Sequence, residues 1–140
     1  MKKIKIRAWD KENGKMIYSN EVFPKSIYKF EFDCFNGYDF KLMKMVDRYN
    51  VIDNECNETY QEVFESIDAD IMQYTGLKDK NGKGIYEGDI VNYFRNELAE
   101  VKFINGCFAI ESKHYIDCFN EIVAEREVVG NIYENPELLG

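Results

Sequence analysis

Gln73-Tyr-Thr-Gly-Leu-Lys-Asp-Lys-Asn-Gly-Lys-Gly-Ile-Tyr-Glu-Gly-Asp-Ile-Val91 is the stretch with the sharpest local logic in the chain. Gly76, Gly82, Gly84 and Gly88 punctuate it, and glycine is the default residue where the backbone needs a positive φ or a close approach. From Lys78 to Gly84 there is no apolar residue, so this segment reads as a solvated loop. Asn81-Gly82 is the strongest short-range turn signal available. Ile85 and Tyr86 resume burial, Glu87-Gly88 turns the chain, and Asp89 to Phe94 runs on as a strand. A tight turn feeding a strand in this way is how many small β-barrels begin, which is an analogy at the level of fold alone.

A glycine-rich loop invites functional readings, and each fails on spacing. A phosphate-cradling loop needs four residues between its glycines and a hydroxyl after the lysine. Here five residues separate Gly76 from Gly82, and Gly84 follows Lys83. A dinucleotide fingerprint fails because Gly88 comes one residue too late after Gly82 and Gly84. A calcium loop begun at Asp79 meets a glycine already at position 4, and has Ile90 at position 12 where the closing glutamate belongs. The stretch reads as structural.

Outward from it, turns and alternation set the elements. Ile4, Ile6 and Ala8 alternate with Lys3, Lys5 and Arg7, the period of a half-buried strand with a solvated basic face. Asn13-Gly14 turns this strand into Met16, Ile17 and Tyr18. The turn Asp10-Lys-Glu-Asn-Gly-Lys15 shares its chemistry with Asp79 to Lys83, while the flanking residues do not repeat. Ile27 to Phe35 and Tyr38 to Leu42 flank Asn36-Gly37 as a second hairpin. Tyr49 to Asn57 is polar and reads as loop. Thr59-Tyr60-Gln61-Glu62 fits a capping box, and Tyr60, Val63, Phe64 and Ile67 follow at helical spacing, predicting a helix over 59–67. Asn105-Gly106 joins Ala99–Phe103 to Cys107–Glu111 in the clearest hairpin of the chain. Tyr115, Phe119, Ile122 and Val123 suggest a helix over 113–124, with a strand as the competing reading. Glu127 to Tyr133 is a last strand, and Asn135-Pro136 suits an N-cap and first helical residue. The expected fold class is α+β, mainly short antiparallel strands with a small barrel-like C-terminal sheet and one or two short helices. It forms one domain over 1–140, in which N-terminal hairpins, about 1–70, pack on a barrel-like part, about 71–140.

Composition narrows the function. One domain of 140 residues can bury roughly 68% of its unfolded surface, so it needs no staple. Its hydrophobic content of 45%, with 15% aromatic residues, is too high for a disordered chain. A net charge of −8 opposes binding to a phosphate backbone. Nucleic-acid binding would therefore need a local basic patch, and Lys2, Lys3, Lys5 and Arg7, or Lys78, Lys80 and Lys83, are the candidates. Cys34, Cys56, Cys107 and Cys118 form no C-x-x-C pair and read as buried reduced thiols. The lysine-studded start offers no signal peptide, and no segment has the roughly 18 apolar residues of a membrane helix. A cytoplasmic chain without cofactor or metal is expected. His114 and Cys118 would share a helix face at i and i+4, with Asp117 as a possible orienter, and are the only Cys–His couple for an enzyme. An ordinary surface is the more economical reading of that couple. Glu87 and Asp89 are a carboxylate pair of the sort chance supplies.

Three segments together resemble the YopX-like family of bacteriophage and prophage proteins: Ile6-Arg7-Ala8-Trp9-Asp10, the central stretch, and Val128-Val129-Gly130-Asn131-Ile132-Tyr133-Glu134-Asn135-Pro136-Glu137-Leu138-Leu139. In the central stretch the motif residues are Tyr74, Gly76, Leu77, Asp79, Asn81, Gly82, Ile85, Tyr86, Gly88 and Asp89. In the last segment they are Gly130, Asn131, Tyr133 and Pro136. The resemblance implies a phage or prophage origin in a bacterial host, and it brings no catalytic residue and no cofactor with it. The leading expectation is a non-enzymatic accessory protein that works by protein–protein contact. Its partners would be a second copy of itself, since 21 aromatic residues exceed what such a core readily encloses, and an unidentified host or phage protein. Nucleic-acid binding, or an acidic decoy occupying a host protein's DNA-binding surface, are the alternatives.

Overall fold

The computed structural model describes residues 5–34, 39–94, 96–114, 116–118 and 126–140. The chain divides into two compact units, Met1–Ile71 and Met72–Gly140.

In the first unit, β1 (Ile6–Asp10) and β2 (Lys15–Tyr18) form an antiparallel hairpin with Ala8 opposite Ile17. Gly14 takes φ +62° in the turn. Strands β3 (Tyr28–Asp33), β4 (Asp39–Ile52) and β5 (Glu58–Ser66) form a second antiparallel sheet in the order β3-β4-β5. Ala8, Ile17, Tyr28 and Leu42 make the core, with Phe30, Ile67, Ala69 and Ile71 packed against them. Strand β6 (Ala69–Lys78) carries the chain from the first unit into the second.

In the second unit, β6 pairs with β7 (Gly84–Tyr86). Strands β8 (Asp89–Phe94), β9 (Glu97–Ile104), β10 (Cys107–Glu111), β11 (Ile116–Cys118) and β12 (Glu127–Asn131) form a five-stranded antiparallel sheet. Its order is β11-β10-β9-β8-β12, an open half-barrel. Ile85, Val91, Ala99, Val101, Ile110 and Val128 form its core. Asn105 and Gly106 both take positive φ, 51° and 83°, as the two-residue turn between β9 and β10 requires.

The fold is therefore all-β and not α+β; the helical content among the described residues is the single 3-10 turn Pro136–Leu139. The helix expected over 59–67 is strand β5, paired with β4 from Met43↔Ser66 to Ile52↔Glu58. Its helical spacing was a coincidence of a β-branched and aromatic segment, because the residues at that spacing bury no common stripe: Tyr60 is 53% and Val63 37% exposed. The partner is the stretch read as loop, since β4 continues to Ile52 and only 53–57 turns. Of the helix expected over 113–124, residues 116–118 are strand β11 and 119–124 lie outside the described residues, as does Asn36-Gly37. The solvated basic face expected of the first strand holds at Lys5, which is exposed, but fails at Arg7, which is 1% exposed and lies beside Tyr18, its Nη1 donating to the hydroxyl at 3.4 Å; Lys3 lies outside the described residues.

Candidate functional site

The central loop is built on one carboxylate. Asp79 is buried; its Oδ1 accepts the amides of Asn81 and Lys83, each at 2.9 Å, and its Oδ2 accepts the Val128 amide at 3.0 Å. Burial works to raise its pKa, but these amides, with Lys83 nearby, outweigh it and hold the carboxyl below the usual range. Gly82 sits in this turn at φ +82°. Strand β12 is tied to the loop again where Lys80 N donates to the Arg126 carbonyl at 3.0 Å and Lys80 pairs with Glu127 at 3.6 Å. Tyr74 and Tyr86 face each other across β6 and β7 with centroids 5.2 Å apart, and Ile85 is fully buried. Between Tyr74 and Lys78 the pairing shifts register, where Gly76 takes φ +88° and Leu77 N turns to the Thr75 hydroxyl.

The other motif residues close the sheet. Asp89 Oδ2 accepts the Tyr86 amide at 2.8 Å, capping the turn in which Gly88 takes φ +89°. Gly88 N donates to the Val101 carbonyl, and its own carbonyl accepts Ile132 N. Asn131 is buried, and its Oδ1 accepts the amides of Tyr133 and Glu134. The Asn131 amide donates to Asn135 Oδ1 at 3.2 Å, so Asn135 serves this turn and makes no side-chain cap on the 3-10 turn begun by Pro136. Gly130 is fixed by close approach, since a Cβ there would lie 2.5 Å from Asn135 Oδ1. The motif is thus a set of turns knitted by buried polar groups, and its side chains are spent on the backbone.

Two candidates for chemistry fare differently from expectation. His114 and Cys118 do not share a helix face; His114 lies in the loop before β11, and Cys118 is in β11 opposite Ala109. His114 borders a cleft of about 570 Å³ with Glu97, Leu98, Glu100, Glu111 and Leu138, and Cys118 is not among its described walls. In that cleft burial, with Glu111 and Glu87 nearby, raises the Glu100 pKa against the pull of Lys102, which pairs with Glu111. All four cysteines are free thiols, but exposed, where burial was expected. Among the described residues no group of three His, Cys, Asp or Glu could hold a metal ion. No helix there is long and apolar enough to cross a membrane.

Sequence reading missed an exposed feature, an arm made by β4 beyond Met45 and β5. Strand β3 pairs with β4 only as far as Lys44, so the rest of β4 has β5 as its sole described partner. Cross-strand pairing places Tyr49, Val51 and Val63 on one face with Thr59 and Gln61. The other face carries Arg48 over the Tyr60 ring at 4.4 Å, Arg48 paired with Glu62 at 3.7 Å, and Asn50 bonded to Glu58. Tyr49 is 51% and Ile52 65% exposed. Residues 47–65 hold six carboxylates against one arginine, a net −5 of the chain's −8. The signal available in sequence was Val51-Ile52 and Val63-Phe64 around the Asp53–Asn57 turn, which repeats the aspartate turn chemistry: Asp53 Oδ1 accepts the amides of Glu55 and Asn57.

Fold and site together define an all-β chain whose sequence motif is architectural and whose exposed chemistry lies on an acidic arm. The YopX protein family matches residues 5–140, and the chain belongs to it. Protein EF1440 from Enterococcus faecalis has a similar crystal structure: 28% identity, a TM-score of 0.64, and coverage of 100% of both chains. No curated protein matches the chain.

Proposed function

We propose that the chain is a non-enzymatic interaction module of phage or prophage origin that works by protein–protein contact through the β4–β5 arm. The observation that carries this reading is the arm itself. A two-stranded hairpin open on both faces is marginal in water without something to pack on, yet this one exposes Tyr49, Val51, Ile52, Tyr60 and Val63. Tyrosines such as Tyr49 and Tyr60 are enriched at interfaces. The nucleic-acid alternative is weakened by the ion pair of Lys80 with Glu127 and by the burial of Arg7. The decoy alternative would use a row of carboxylates at phosphate spacing, whereas Glu58 and Glu62 on one face of β5 have Tyr60 between them and Glu62 is engaged by Arg48. Self-association belongs to the same reading; light scattering giving a mass near 16.5 kDa would remove it. The wider test is capture from a lysate of the bacterium that encodes the chain, with and without nuclease. Retention of proteins after nuclease supports the reading, and loss of all of them contradicts it.

A further inference from the structure

The outer edge of β5 carries the argument one step further. Strand β5 ends its sheet, so nine residues, Glu58–Ser66, present one row of backbone donors and acceptors to no described strand. Open edges of this length are templates for strand addition unless charge or a bulge blocks them. Here the blocking charge is acidic: Glu58, Glu62 and Glu65, with Arg48 on the inner strand offsetting only Glu62. A second copy pairing antiparallel along β5 would set three further glutamates along the same acidic edge, and their mutual repulsion opposes the pairing. A strand of opposite charge meets no such barrier.

The two faces of the arm set the pattern of that strand. Glu58 and Glu62 lie on one face with Tyr60, and Val63 lies on the other with Tyr49 and Val51. An added strand extends both faces, because its side chains alternate. Its residues beside Glu58 and Glu62 should be basic; on the other face it borders Thr59, Gln61 and Val63, with Tyr49 and Val51 one strand further in, and its residues there should be apolar. We propose that β5 is a docking edge for an extended protein segment in which basic and apolar residues alternate, bound by β-strand addition. This rests on the reading of the arm as the contact surface and names the chemistry of the partner.

The test uses the full chain and three labelled nonapeptides: alternating Lys and Val, alternating Glu and Val, and the Lys/Val composition in an order without alternation. Fluorescence anisotropy should show the alternating Lys/Val peptide binding at least roughly tenfold more tightly than either control, and weakening as salt is added. Amide exchange should show protection gained along Glu58–Ser66 on binding. Glu58→Gln/Glu62→Gln/Glu65→Gln, with an unchanged circular dichroism spectrum, should weaken binding by about tenfold. Equal binding of the two Lys/Val peptides, or protection gained elsewhere than β5, overturns strand addition, as does a dimer of the free chain that protects β5. If no peptide binds while substitutions on the apolar face of the arm abolish capture of a protein partner, this proposal falls and the arm remains the contact surface. If neither effect is seen, both fall.

Discussion

The Asp79 carboxylate accepts the Val128 amide at 3.0 Å and so joins the central loop to a strand 49 residues away. The same carboxylate satisfies Asn81 and Lys83. Asp79→Asn replaces one acceptor oxygen by an NH2 group, which cannot accept an amide hydrogen. It should destabilise the chain by about 1–3 kcal/mol, the penalty of a buried donor left without its partner. Urea unfolding at neutral pH measures this, and an unchanged midpoint would remove Asp79 from the scaffold.

Acid should act through the same group and its counterpart in the first hairpin. Asp10 is buried, which works to raise its pKa, but hydrogen bonds from the Asn13 side chain, Tyr28 and the amides of Asn13 and Glu12 bring it below the ordinary value. Both aspartates are therefore held more strongly as carboxylates in the folded chain than in the unfolded one. Their contribution is present above the unfolded pKa, about 3.9, and is lost as pH falls through the lower folded values. Unfolding midpoints measured from pH 6 downward should hold steady and then drop below about pH 4; in a variant lacking both aspartates the drop should be shallower.

Base should act through Tyr28. Its hydroxyl donates to Asp10 Oδ2 at 2.8 Å, and burial together with that carboxylate pushes its pKa up to about 12. A raised pKa favours the protonated form in the folded chain. The contribution is full below the unfolded value, about 10, and is lost as pH rises toward 12. Ultraviolet titration should show a late-ionising step, and Tyr28→Phe should remove it while costing about 1–2 kcal/mol at neutral pH.

Two glycines should fail for different reasons. At Gly88, φ is +89°, so Gly88→Val should cost about 1 kcal/mol or more through backbone strain alone. At Gly130 the obstacle is Asn135 Oδ1, 2.5 Å from the position of a Cβ. Gly130→Ala should be destabilising by about 1–3 kcal/mol. The double variant Gly130→Ala/Asn135→Ala should cost less than the sum of the singles, because the clash disappears with the side chain. Additive effects in that cycle would refute the contact.

How far these features could be read from sequence depends on the range of the interaction. The turns at Asp10, Asp79 and Asn105-Gly106 were legible because their chemistry is local: an aspartate two residues before an amide, or two residues at positive φ. Strand β5 was misread because Tyr60, Val63, Phe64 and Ile67 satisfy the helical period as well as they suit a strand. The deciding fact, pairing with a polar-looking partner at 49–52, is tertiary. The burial of Arg7 was hidden for the same reason, since alternation assumes one open face. That Gly130 answers to Asn135 could not be seen from sequence, although both residues stand in the last of the three family segments.

The claim that the arm is the working surface has a direct measurement. Tyr49→Ser/Val51→Ser/Val63→Ser changes three residues that are 51%, 37% and 37% exposed, so stability should shift by no more than about 1.5 kcal/mol in all. Immobilised wild-type and variant chains are incubated side by side with nuclease-treated lysate of the bacterium that encodes the chain, and the retained proteins are quantified. The arm account predicts proteins held by the wild type and lost from the folded variant. Equal retention by the two chains would contradict it.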